Sequence, residues 1–341
     1  MIDVSVVVIC MNEVGHMRRC LETLVAQGYP AAHFEVLVVD GGSQDGTTAI
    51  LDTFSRQQAH VRWITEPRRG AAVARNTGLL SARFRHVAFI DADCEASPDW
   101  LERLVHHFQD QQSRDPTVVA VGGGNVPLPD APPFIQAISI AMDSYAGSFN
   151  SVQGRRIQEA REVSSLATLN VLYDREPLLK IGGFDATLGS DAEDADLNYR
   201  LRQAGHRLIY IPELPVFHKL RATPALWSRN MFRYGRGRAR LLKRHPAMWS
   251  LAYLLPLLFL AGMATLLLFP FSPLFGLPLL YVPTIAILSA ILCWRHSRLD
   301  LMAHVCIIFV VQHFGYALGE VVGLLRREKI RVSLQHHPKT D

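Results

Sequence analysis

Two pairs of carboxylates, Asp91-Ala-Asp93 and Asp194-Ala-Asp196, are the residues of this chain best suited to hold a hard cation or to move a proton. About one such D-x-D pair is expected by chance at this aspartate content, so the setting has to decide. Asp91 follows the apolar run His86-Val-Ala-Phe-Ile90, which places Asp91 and Asp93 at the end of a strand. Oxygen ligands there favour Mg2+ or Mn2+ over zinc and can face a diphosphate, while a cap on the next helix is the competing reading of Asp91. Asp40 closes a second apolar run, Val36-Leu-Val-Val-Asp40, and Gly41 and Gly42 follow it. A carboxylate so placed can accept hydrogen bonds from a nucleobase or ribose, and the glycines admit a ligand close to the backbone. No G-x-G-x-x-G follows the first strand, which speaks against dinucleotide binding and hydride transfer. Asp45 reads better as a helix cap than as a ligand.

These residues need a scaffold that brings strand ends together. Val4–Cys10, Phe34–Val39, Val61–Thr65 and His86–Ile90 have strand character, and Glu13–Gln27, Gln44–Ala59 and Ala71–Arg83 between them have helical length and spacing. Such alternation predicts an α/β fold with a doubly wound, mostly parallel sheet, whose ligands sit at the carboxyl ends of the strands. Polar residues cluster at those ends, in Cys10–Glu13, Asp40–Gly46 and Asp91–Glu95. Beyond Glu95 the alternation loosens; a strand near Leu166–Tyr173, a loop Gly182–Asp191, a helix Glu193–Ala204 and a strand Arg207–Ile211 are expected.

The second half of the chain changes composition. From Ala247 to Trp294 there are 48 consecutive residues without Lys, Arg, Asp or Glu, and a further apolar run covers Leu301–Leu325. Three segments, about 249–269, 271–294 and 301–325, are long enough to cross a hydrocarbon core of ~30 Å. Charge is divided among blocks: residues 1–218 carry 19 basic and 27 acidic side chains, 219–244 carry nine basic and none acidic, and 245–341 carry seven basic and four acidic. The acidic globular part excludes nucleic acid as the natural partner. A basic block beside an apolar span predicts an anchor on anionic headgroups and a cytoplasmic globular part. A third full crossing would leave Arg326, Arg327, Lys329 and Arg331 outside, against the positive-inside trend. Gly315, Gly319 and Gly323 form a small-residue face on that third segment, expected to pack on the other two, and Gln312, His313 and Glu320 there need partners or water. The five cysteines lack metal spacing and read as free thiols in a reducing compartment. The N-terminal MIDVSVVVICMNE reads as a strand and not as a signal peptide.

Six ordered stretches resemble family-2 inverting glycosyltransferases of the GT-A fold: Ser5–Glu13, Val39–Thr47, Ala72–Gly78, Phe89–Asp93, Gly182-Gly-Phe-Asp185 and Glu193-Asp-Ala-Asp-Leu197. The resemblance covers roughly residues 3–218 and, through Phe232–Ala239, extends to membrane-attached glucosyltransferases of exopolysaccharide assembly of the succinoglycan type. It implies a GT-A domain at 1–218, which charge and hydropathy follow with a basic juxtamembrane segment at 219–246, a transmembrane region at 247–325 and a basic tail at 326–341. It further implies that Asn12, Glu13, Asp40, Gly41, Gly42 and Arg75 hold a UDP-sugar. Asp91 and Asp93 would contact ribose and Mg2+ or Mn2+, with His218 either a further metal ligand or a packed histidine. Gly183, Asp185 and Glu193 would line the acceptor side, and Asp194 would be the general base. The chemistry this implies is transfer of a hexose, glucose by the narrower resemblance, to a membrane-bound, polyprenyl-diphosphate-linked acceptor at the inner membrane, alongside other glycan-assembly proteins.

That division of labour is chemically economical, because a cation can stabilise a departing diphosphate while one carboxylate removes the acceptor proton. The stretch Asn230-Met-Phe-Arg-Tyr234 departs from the Gln-x-x-Arg-Trp of processive synthases, which makes processive polymerisation the weaker alternative. A sugar-1-phosphate nucleotidyltransferase should carry a Gly-rich signature after the first strand, which Cys10–Glu13 lacks. A non-catalytic scaffold would have no need of both Asp93 and Asp194.

Overall fold

The fold is described by a computed structural model covering residues 1–149, 151–152, 157–220 and 223–326. The expected alternation is present as β1 (Val4–Cys10), α1 (Met17–Val25), β2 (Phe34–Asp40), α2 (Thr47–Gln57), β3 (Val61–Thr65), α3 (Ala71–Ser81) and β4 (His86–Asp91). There follow β5 (Cys94–Glu95), α4 (Trp100–Arg114), β6 (Val118–Gly122), β7 (Asn125–Val126), α5 (Pro133–Met142), α6 (Tyr145–Ser148), β8 (Arg161–Glu162), β9 (Asn170–Asp174) and α7 (Arg175–Lys180). The globular part closes with α8 (Glu193–Gln203), β10 (Arg207–Tyr210) and β11 (Val216–His218).

Eight strands form one sheet in the order β3-β2-β1-β4-β9-β6-β10-β8. The strands β3, β2, β1 and β4 run parallel, as do β6 and β10, whereas β9 is antiparallel to both its neighbours. The reason lies in the path of the chain: it leaves β6 at the carboxyl edge and re-enters at that same edge, where Asn170 pairs with Ile90. Entry from that edge can only be antiparallel.

Period-two alternation along the strands feeds two helical layers. On one face Val4, Val6 and Val8 pack with Met17, Leu21 and Leu24 of α1 and with Trp100, Leu104 and Phe108 of α4. On the other, Val7 and Phe89 pack with Ala72 and Leu79 of α3 and Leu197 and Leu201 of α8. Each fully buried side chain of this size contributes about 1.5–3 kcal/mol. The helix α4, with buried Trp100, Leu101, Leu104, Val105 and Phe108, is not anticipated by the sequence reading.

A second sheet, β5-β11-β7, stands at the carboxyl edge of the first. Its antiparallel register sets His218 opposite Cys94, so a residue 125 positions downstream of Asp93 becomes its neighbour.

Beyond it come α9 (Pro224–Arg244), α10 (Leu255–Ala264), α11 (Tyr281–Arg295) and α12 (Met302–Leu325). Three helical segments, Leu251–Phe271, Pro273–Arg295 and Leu299–Leu325, are long and apolar enough to cross a membrane. The first two turn at Ser272, flanked by 3-10 turns, and present exposed Leu267, Phe271 and Leu274.

Two expectations are corrected here. Much of the described basic block is turned inward and not outward as an anchor: Arg233 and Arg236 pair with Asp191, Arg244 pairs with Asp185, and Arg240 donates to the carbonyls of Thr187 and Leu188, while Lys219 and Arg229 are exposed. Buried Asp191 would otherwise be left without a counter-ion. Likewise the glycine face of α12 packs mainly on α9 and not on the two preceding segments, since a Cβ on Gly319 would collide with the Phe232 carbonyl. The basic tail expected at 326–341 lies, from residue 327 on, outside the described residues.

Candidate functional site

The loops after β1 and β2 are stitched to each other before any ligand is considered. Asn12 adopts φ +57°, a left-handed conformation that asparagine tolerates better than most residues. Its N–H donates to Ser43 Oγ at 2.8 Å and its side-chain oxygen accepts from Gln44 N at 2.8 Å. The Glu13 N–H donates to Thr47 Oγ1 at 2.9 Å. Asp45 accepts from Val14 N and Thr47 N, both at 3.0 Å, so it serves the first N–H of α2 from the position before the N-cap, which is Gly46.

Asp40 is 1% exposed and its carboxylate accepts from Gly42 N at 3.1 Å and Ser43 N at 3.0 Å. Gly42 makes this possible with φ +86°. The carboxylate therefore shapes the loop from within and does not stand free toward a nucleobase. Gly41 sits tightly against Cys10 O and the Met11 side chain, 3.3 Å from where a Cβ would be.

At the edge of the small sheet, His218 Nε2 lies 3.4 Å from Asp93 Oδ2. Asp93, Cys94 and His218 bring their ligand atoms within 4.8 Å of one another. Burial alone would raise the Asp93 carboxyl, but the hydrogen bond and charge of His218 outweigh it and hold the group below the usual carboxylate range. His218 is shifted up: burial opposes its charged form, and Asp93 and Asp91 overcome that. The Cys94 thiol is pushed well above its ordinary value, first by burial and then by the charges of Asp91 and Asp93. The Asp93 carboxylate and His218 imidazole, both partly exposed, fit a divalent cation, and His218 Nδ1 is buried with no hydrogen-bond partner among the described residues.

Asp91 faces the other way. Its Oδ1 accepts from Arg75 at 3.0 Å, and the same guanidinium pairs with Glu193. Arg75 is 5% exposed. The expected place of Arg75 beside a diphosphate is thus taken by two carboxylates, and its task here is to tie the end of β4 to the start of α8. Glu193 and the half-buried Asp194 are both shifted upward, first by burial, with Arg75 opposing and their neighbouring carboxylates adding. Asp194 lies in the first turn of α8, entered through Ala192 at φ +69°. Asp196, two residues on, turns away and is fully buried against Arg200 at 2.7 Å and His245 at 2.7 Å.

The Gly182–Asp185 turn is locked by Asn76, which donates to Phe184 O at 2.7 Å and accepts from Phe184 N at 2.8 Å. Gly183, at φ +68°, sits so close to Asn76 Oδ1 that a Cβ would approach it to 2.5 Å. Asp185 caps the next turn through Thr187 N at 2.8 Å and pairs with Arg244, so it is structural and not open to an acceptor. Tyr234 of α9 is 58% exposed and within electrostatic reach of Asp194, Asp91 and Glu193.

The structure therefore joins Asp93 with His218, and Asp91 with Arg75, Glu193 and Asp194, into one line of charge along the carboxyl edge. Sequence reasoning missed Asn76 and Asp191 as organisers and Tyr234 as a wall. Asn76 lies inside the quoted Ala72–Gly78 stretch, whereas the role of Asp191 depends on arginines more than 40 residues away.

Residues 5–167 match Glycosyl transferase family 2. The chain is 31% identical over 241 residues to the glycosyltransferase AglE of Haloferax volcanii, covering 70% of this chain and 73% of that protein. It is also 31% identical over 257 residues to the succinoglycan biosynthesis protein ExoA of Rhizobium meliloti, covering 74% of each. Among solved structures, the mannosyltransferase PcManGT of Pyrobaculum calidifontis, in complex with GDP-Man and Mn2+, superposes with a TM-score of 0.55 at 22% identity, over 91% of this chain and 86% of that one. The S. aureus TarS 1–349 structure with UDP gives 0.52 at 17% identity, over 94% and 90%. These last two likenesses concern the fold, which is GT-A.

Proposed function

Since this chain belongs to glycosyl transferase family 2, we propose that it is an inverting, metal-dependent transferase that moves a hexose from a UDP-sugar to a lipid-linked glycan acceptor at the inner membrane, with the catalytic domain in the cytoplasm. The observation that carries this reading is the line Asp93/His218 and Asp91–Arg75–Glu193–Asp194 along one strand edge. Asp93 and His218 would hold Mg2+ or Mn2+, which supplies charge neutralisation for a leaving diphosphate. Asn12, Glu13 and the Asp40–Gly42 loop would shape the uridine pocket, and Gly183 would shape the acceptor side. Asp194 would take the acceptor proton; burial shifts it upward, which makes it a stronger base than an exposed carboxylate. Arg75 would keep Glu193 and Asp91 in place while the acceptor approaches past Tyr234.

The likeness to the succinoglycan biosynthesis protein ExoA supports exopolysaccharide synthesis, and the three apolar segments support an acceptor in the bilayer. Purified full-length protein, offered a panel of UDP-sugars with Mn2+ and a polyprenyl-diphosphate glycan, should release UDP only when one donor and the acceptor are both present. UDP release with no dependence on any acceptor, or none with any UDP-sugar, would overturn the reading.

A further inference from the structure

We propose that α12 does not cross the membrane but lies along its surface, clamped on one side to the catalytic domain and with its outer stripe in the acyl chains of the adjoining leaflet. Two helices settle the geometry. α9 is fastened to the catalytic domain along its length: Lys219, before it, donates its N–H to Asp93 O at 2.9 Å. Arg233 and Arg236 reach Asp191, a Cβ on Gly237 would meet Ala192 Cβ at 3.2 Å, and His245 after it reaches Asp196 at 2.7 Å.

α12 then runs beside α9 in the same direction. Gly315 abuts Ser228 and Met231, Gly319 abuts Phe232, and Gly323 abuts Arg236 and Ala239. Lys243 Nζ closes the end by donating to the carbonyls of Gly323 and Arg326, both at 2.8 Å. The first half of α12 is held as well, with Val305, Ile308 and Phe309 packed among Phe134, Ala137 and Ile138 of α5. Two of its polar side chains reach the same domain: Gln312 donates to Gly147 O, and His313 Nε2 lies 2.9 Å from Ala146 O while its Nδ1 lies 2.9 Å from the Tyr281 hydroxyl of α11.

A helix of 24 residues is about 36 Å long and would need most of that length clear of the domain in order to cross. No such length is clear. Half of the apolar window of this segment is buried, against 0% and 11% in the two preceding segments. What remains exposed is Ala303, Ile307, Val310, Leu318 and Leu325, which at 100° per residue fall on one stripe. That stripe is continuous with the apolar surface of α10 and α11, since Phe259 packs on Phe314 with ring centres 5.0 Å apart. An in-plane amphipathic helix fits such a stripe, and its occupant is lipid acyl chain.

The placement also settles two charge problems. Glu320, fully buried with neither carboxylate oxygen hydrogen-bonded among the described residues, lies beside α9 within electrostatic reach of Arg238, and does not pass through the hydrocarbon core. Arg326, whose carbonyl is held by Lys243, stays on the side of the catalytic domain, in accord with the positive-inside trend. With α12 between lipid and α9, Tyr234 stands about one helix diameter, ~10–12 Å, from the acyl boundary. That distance suits an acceptor whose lipid remains in the leaflet.

The test uses the full chain in sealed membrane vesicles of both orientations. Arg326→Cys and, on exposed α4, Ser113→Cys are labelled with a membrane-impermeant maleimide, with the unsubstituted protein as the blank. Both cysteines should label from the same side. Spin labels at Ile307 and Leu318, about 16 Å apart along the helix axis, should sit at equal depth in contact with lipid. Labelling of Arg326→Cys from the side opposite to Ser113→Cys would overturn the proposal, as would a depth difference near 16 Å. Labels shielded from both lipid-soluble and water-soluble relaxants would assign the stripe to a second copy and overturn the lipid occupant.

Discussion

Replacing Asp194 by Asn separates chemistry from folding more sharply than any other single change here. In the folded protein Asp194 shares one buried guanidinium, Arg75, with Asp91 and Glu193. Its carboxyl is shifted upward, which means that folding disfavours the charged form. The sign of the linkage follows: a raised carboxyl pKa subtracts stability above the ordinary carboxylate range, and neutralising the group removes that loss. Asp194→Asn should therefore melt at the wild-type temperature or above it near neutral pH. Turnover should fall by about 10²–10⁴-fold, the usual contribution of a positioned base, or ~3–5 kcal/mol of transition-state stabilisation. Donor binding should persist, because Asp93, His218 and the Asn12–Ser43 stitch are untouched.

Asp196→Asn is the control with the opposite signature. The sequence alone suggests that Asp196 tolerates Asn well, but it is fully buried between Arg200 and His245. Weakening those pairs should cost about 1–3 kcal/mol of stability and leave turnover per folded molecule close to normal. Melting temperature, UDP-sugar affinity and UDP release are measured on the same preparations. Normal turnover in Asp194→Asn together with a lowered melting temperature would refute the assignment of the base.

Asp93→Ala should abolish the Mn2+-dependent part of UDP binding in calorimetric titration while leaving the sheet intact; unchanged affinity would remove Asp93 from the metal site. Glu66 is buried and held down to about 2 by Arg68, with Thr77 adding. A lowered carboxyl contributes stability above its unfolded value of about 4.3 and loses it as pH falls toward 2, so Glu66→Gln should be less stable than wild type at pH 7, by about 1 kcal/mol after screening at exposed Arg68. The two proteins should converge as pH falls toward 2, and a gap that stays constant across the acid range would contradict the pairing. Gly319→Leu should push α12 off α9, because the Phe232 carbonyl occupies the space of the new side chain; its melting temperature in detergent should drop sharply, and an unchanged value would mean that the two helices are not in contact.

Much of the catalytic domain was legible in the chain itself. The strands β1 and β3 have the limits that the apolar runs define, and β2 and β4 end one residue later, on Asp40 and Asp91. Alternation of period two and period 3.6 is a local signal, and it places Asp40, Asp91 and Asp93 at strand ends without reference to any distant residue. The three apolar segments are equally local, since length and absence of charge define them. What the sequence could not determine is whatever depends on which surfaces meet. His218 becomes a neighbour of Asp93 only through the register of a two-residue strand, and β9 reverses direction only because of the edge at which the chain re-enters. Arg75 turns from a ligand candidate into a tie between Asp91 and Glu193, and Arg233, Arg236, Arg240 and Arg244 turn inward because Asp185 and Asp191 stand opposite them. The glycines of α12 announce a close approach by their spacing, but the partner, α9, is chosen by the fit of two helices 80 residues apart. Spacing along a chain records how each element would present its side chains; pairing and burial are properties of two elements at once, and only the folded molecule decides them.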